Sequence, residues 1–71
     1  MSVLQKRSFS LSRHRTSVAL EAEFWDALER EAAAAGKSLA AVVTEIDSRR
    51  AMRPLASALR IHALATAGRI P

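Results

Sequence analysis

Side chains able to do covalent or acid–base chemistry are sparse in this 71-residue chain, while side chains able to grip an anion are plentiful. There is no cysteine, so the sequence offers no thiolate nucleophile, disulfide or thiolate metal site. His14 and His62 are too few and too far apart in sequence for a closed zinc site. No phosphate-binding glycine loop is present, and Glu21, Glu23, Asp26, Glu29 and Glu31 read as a helix surface with no base to pair with. Neither an enzyme nor a metal or organic cofactor is expected. What remains is the ionic and hydrogen-bonding chemistry of 11 lysines and arginines.

Those cations are unevenly placed. Residues 1–20 hold Lys6, Arg7, Arg13 and Arg15 without an acid, and residues 48–71 hold Arg49, Arg50, Arg53, Arg60 and Arg69 without an acid. All the acids fall in residues 21–47, set against only Arg30 and Lys37. The chain is thus basic, acidic, basic, and only part of its surface would welcome a polyanion. No apolar run approaches the roughly 20 residues of a membrane span, so a soluble, cytoplasmic setting without membrane contact is expected. A chain this short supports one domain with a marginal core, and oligomerisation is the usual aid.

Three helices and at least one strand must position these residues. "RTSVAL", Arg15–Leu20, alternates in the manner of a strand with one buried face. "EAEFWDALEREAAAAG" reads as a helix over about Ala22–Ala35, with acids in its first turn, Phe24, Trp25, Leu28 and Ala32 on one face, and Gly36 as its stop. Ser38 is a good N-cap for a second helix with the apolar stripe Leu39, Val42, Val43 and Ile46, ending near Arg49–Arg50. Pro54 suits the first turn of a third helix, "PLASALRIHALATAG", apolar nearly all round and stopping at Gly68. Residues 1–12 read either as a free basic arm or as an arm with a short strand at Arg7–Ser12, since Phe9 and Leu11 alternate with serines. Serine and arginine without acids also describe an organelle transit peptide, but "SFSLS" has the period of a strand and not of a helix.

With no second strand after it, Arg15–Leu20 is expected to pair antiparallel with its own copy across a twofold axis. Strand "RTSVAL", the helix with "FWDALEREAAAAG" and then "GKSLAAVVTEI" resemble, in order and spacing, a bacterial ribbon-helix-helix domain of the Arc and MetJ repressor type. The resemblance covers roughly residues 13–50, between the arm 1–12 and a helical extension 51–71. It implies a mainly α fold with one short strand per chain, an intertwined homodimer whose two-stranded ribbon enters the DNA major groove, and an added C-terminal helix.

On that reading Thr16, Val18 and Leu20 point into a dimer core with Phe24, Trp25, Leu28, Leu39, Val42, Val43 and Ile46. Arg15, Ser17 and Ala19 then face base edges: Arg15 suits guanine, Ser17 suits either base type, and Ala19 suits a thymine methyl. Ala19 departs from the family's usual three polar residues, which weakens the expectation of strong sequence specificity. Phosphates would meet the helix start at Lys37, Ser38 and Leu39, with Arg13, His14, Lys6 and Arg7 reaching further along the backbone. The expected partners are double-stranded DNA, a second copy (with tetramers through the third helix), and a protein bound by that helix. The implied activity is transcriptional repression or autoregulation. Two alternatives stand beside it: the antitoxin of a toxin–antitoxin pair, and an adaptor whose ribbon has lost DNA binding. Arg49, Arg50 and Arg53 read as a solvated helix end or as a patch for DNA or an acidic partner.

Overall fold

The computed structural model describes residues 3–67. The chain runs β1 (Leu4–Leu11), β2 (His14–Glu21), α1 (Ala22–Ala35), α2 (Leu39–Arg49) and α3 (Leu55–Ala67). β1 and β2 form a two-stranded antiparallel ribbon, in register from Leu4 opposite Glu21 to Leu11 opposite His14. Only Ser12 and Arg13 join them, with φ of 48° and 70°. Positive φ at both central residues marks a type I′ turn, whose twist matches that of the flanking strands.

This hairpin corrects the expected pairing. A two-stranded antiparallel ribbon is present, but both strands belong to one chain, so the fold has two strands per chain where one was expected. Of the residues read as an arm or a short strand, Leu4–Leu11 form β1. Closing a two-residue turn costs far less entropy than immobilising a second chain, so the nearer partner satisfies the β2 edge first.

The helices sit where periodicity and capping put them. The amide of Gly36 bonds to the Ala33 carbonyl at 3.2 Å and that of Lys37 to the Ala32 carbonyl at 2.9 Å. With Gly36 left-handed at φ 68°, this is the paired C-terminal bonding of a Schellman motif. Ser38 caps α2 by accepting from the Ala41 amide at 3.1 Å. Pro54 stands just before α3, its carbonyl accepting from the Ala58 amide at 3.0 Å. Gly68, the expected stop of that helix, lies outside the described residues.

One core unites the elements. The inner ribbon face gives Phe9, Leu11, Val18 and Leu20, α1 gives Trp25, Leu28 and Ala32, α2 gives Val42, Val43 and Ile46, and α3 gives Leu55, Ala58, Leu59 and Ala63. Thr16, Phe24 and Leu39 are half-buried at its margin. Val18, Leu20, Trp25, Leu28, Val42, Val43 and Ile46, expected between two chains, are buried within one chain. The reason is that β1 and α3 cover apolar faces that a second copy was expected to cover. Trp25 anchors the arrangement. Its Nε1–H donates to the Gln5 carbonyl at 2.8 Å, and its ring lies 5.9 Å from that of Phe9.

Ser12 and Arg13 occupy a conformation that asparagine and glycine adopt at lower cost. The double substitution Ser12→Asn with Arg13→Gly is expected to stabilise the protein by about 1 kcal/mol. A urea midpoint that stays put or falls would contradict this turn geometry.

Candidate nucleic-acid interface

A ribbon with one face in the core presents the other to solvent, and directly opposed residues of an antiparallel pair share a face. The outer face therefore carries Lys6 opposite Ala19, Ser8 opposite Ser17, and Ser10 opposite Arg15. Lys6, Ser8, Ser10, Arg15 and Ser17 are exposed and Ala19 is half-buried. The hydroxyls of Ser8 and Ser17 lie 2.9 Å apart and share a hydrogen bond across the strands. At the turn end, Arg13 and His14 are exposed. The alternation of Arg15, Ser17 and Ala19 outward against Thr16, Val18 and Leu20 inward is as expected.

Lys6, Ser8 and Ser10 do not fit the sequence expectation so well. Lys6, expected on an arm reaching phosphates, stands on the ribbon face beside Ala19. Ser8 and Ser10 join that face without any expectation of it from the sequence. Two alternating stretches separated by two residues were the available signal, muted because Ser-Arg is not a customary type I′ pair. Arg7 stands apart from these residues. It lies on the inner side, ion-paired with Glu29, with its guanidinium 5.0 Å from the centre of the Trp25 ring. Period two turns Arg7 away from the face that holds Lys6.

The start of α2 is partly engaged. Lys37 Nζ donates to Glu45 Oε2 at 2.6 Å, so a carboxylate already neutralises the expected phosphate contact. The Ser38 hydroxyl occupies the Ala41 amide, leaving the first amides of the helix, at Leu39 and Ala40, toward solvent. The bond from Lys37 is the main cause holding the Glu45 carboxyl below its ordinary value, aided by the charges of Lys37 and Arg49. At the other end of the ribbon, Glu21 is held down first by a backbone hydrogen bond and next by Arg60, whose Nε donates to it at 3.0 Å. No group of three or more His, Asp or Glu residues that could hold a metal occurs among the described residues. No helix among them is long and apolar enough to cross a membrane.

A two-stranded ribbon, about 5 Å between strand axes, is narrow enough for the roughly 12 Å major groove. Its outer face presents two cations and three hydroxyls. A family model described as a ribbon-helix-helix domain matches residues 4–67. The chain belongs to the ribbon-helix-helix family. No curated protein and no solved structure matches it. The match begins at Leu4 and ends at Ala67, so it includes β1 and α3 as well as the β2–α1–α2 segment that carried the resemblance. Ribbon-helix-helix domains generally bind DNA and dimerise, and their usual role is regulatory rather than enzymatic.

Two measurements probe the local geometry of this ribbon-helix-helix domain. Ser38→Ala is expected to cost about 1 kcal/mol by releasing the Ala41 amide from its cap, visible as a lower urea midpoint. Glu45 has a folded-state pKa below its unfolded value, so its contribution is present above the ordinary value of 4.5 and is lost as pH falls through the lower folded value. Glu45→Gln should therefore flatten the acid limb of stability against pH. An unchanged limb would show that the Lys37 contact does not persist in solution.

Proposed function

We propose that this protein binds double-stranded DNA through the outer face of its β1–β2 ribbon and represses transcription, including that of its own gene, by occupying an operator in the cytoplasm. The observation that carries the reading is that Lys6 and Arg15 project from one exposed face, neither side chain having an ion-pair or hydrogen-bond partner among the described residues. Arg15 would take guanine edges, Ser8, Ser10 and Ser17 would take either base type, and Ala19 a thymine methyl. Arg13 and His14 at the turn, with the amides at Leu39 and Ala40, would take phosphates. Lys37 would join them by exchanging Glu45 for a phosphate.

Homodimerisation belongs to the same proposal, with each copy bringing a ribbon already formed. Two copies on adjacent half-sites would lengthen the readout that one short ribbon provides. The antitoxin reading needs a C-terminal segment free to wrap a toxin. Leu55, Ala58, Leu59 and Ala63 are instead built into the core, which favours the repressor.

Arg15→Ala is expected to weaken DNA binding by about 1–3 kcal/mol without lowering thermal stability, because the side chain is exposed. A mobility-shift titration giving unchanged affinity would remove Arg15 from the interface. Affinity should also fall steeply with salt. Failure to bind random-sequence duplex even at low salt would favour the adaptor reading.

A further inference from the structure

Away from the ribbon, an open groove of about 430 Å³ lies between the C-terminal end of α2 and α3. Its apolar lining comes from Ile46, Ala58, Ile61 and Ala65. The three α3 positions span about two helical turns, roughly 10 Å. Ile61 is 47% exposed, and Leu64, on the neighbouring turn, is 64% exposed. The polar lining is cationic: Arg49, Arg50 and Arg53.

These arginines are not equally committed. Arg50 is held by Asp47 at 2.7 Å and by the Arg53 carbonyl at 2.8 Å. Arg49 reaches Glu45 only at 3.4 Å, while the Arg53 guanidinium has no partner among the described residues. Lys37, Arg49, Arg50 and Arg53 still outnumber the carboxylates of Glu45, Asp47 and Glu31 by one, so the neighbourhood stays positive. His62 lies at the margin, its Nε2 2.7 Å from both oxygens of Glu31.

We propose that this groove docks an acidic segment of another protein, one that carries bulky aliphatic side chains among its carboxylates. Charge complementarity selects the acids, since guanidinium forks match carboxylates in geometry as well as sign. The apolar floor selects the aliphatic residues, and an open trough suits a peptide segment better than an enclosed ligand. A DNA backbone would use the arginines and leave Ile61 without a partner. A merely solvated helix end would need no apolar floor. The surface is distinct from the ribbon, so one partner of each kind can be held at once.

The test is a fluorescence-anisotropy titration of the whole protein with a short labelled peptide of Asp and Glu interspersed with Leu. Companion peptides carry Gln in place of Leu, or Lys in place of the acids. Saturable binding of the acidic Leu peptide alone is expected. Arg49→Gln with Arg53→Gln should weaken it about tenfold, and Ile61→Gln about fivefold or more, with unchanged circular dichroism. DNA affinity of the arginine variant should change by less than about threefold at physiological salt. Absence of saturable binding overturns the proposal, as does equal binding of the Gln peptide. It is also overturned if duplex DNA displaces the peptide and the arginine variant loses DNA as strongly, which would make the groove a phosphate contact. Self-association abolished by the same variant would assign the groove to a second copy instead.

Discussion

The indole of Trp25 joins the ribbon to the helices, and the orientation of every outward residue follows from it. The ring has no exposed surface, lies beside Phe9, and donates its one N–H to a β1 carbonyl. A buried donor left unpaired would cost about 1–3 kcal/mol, so this bond also selects the seating of β1 on α1. A slip of one residue in β1 would move Phe9 and Leu11 into water and bring Lys6, Ser8 and Ser10 against the helices. The polar composition of one ribbon face and the burial of the other thus have a single cause.

Charge segregation along the chain becomes charge pairing in three dimensions. The acidic middle meets the basic ends: Arg7 with Glu29, and Arg60 with Glu21 while its guanidinium lies 5.8 Å from the centre of the Phe24 ring. His62 and Thr66 both reach Glu31. These pairs are at least partly solvated, and each contributes little to stability alone. Their larger effect is on the field. By absorbing carboxylates on the helical side, they leave Lys6 and Arg15 of the ribbon face and Arg53 of the α2–α3 groove without a carboxylate among the described residues, which gives the molecule two separate positive surfaces.

Helix positions were readable because several independent signals coincided at each boundary. Gly36 ends α1, Ser38 caps α2, Pro54 precedes α3, and each does the job its chemistry suggests. The alternation of β2 was equally plain, and with it the outward set Arg15, Ser17 and Ala19. Strand pairing was not readable to the same degree, because a pairing depends on the partner and Ser12-Arg13 lacks the asparagine or glycine that announces a tight hairpin. Reading β2 as partnerless sent its buried face, and the core of α1 and α2, to a second chain. The same omission hid that Ser8 and Ser10 share the outer ribbon face with Arg15 and Ser17, and that Arg7 lies on the inner one. The engagement of Lys37 by Glu45 was hidden for a different reason: the two residues sit in different local elements, and only the fold brings their side chains together.

The third helix supplies Leu59 and Ala63 to the common core and contacts β2 as well as both other helices. A stretch limited to residues 13–50 would therefore be without part of the common core. It would lack the strand that closes the ribbon and the roof that keeps its own apolar side dry. Evolutionary change in the C-terminal third can thus alter the poise of the ribbon from behind, without touching any residue that faces outward from it.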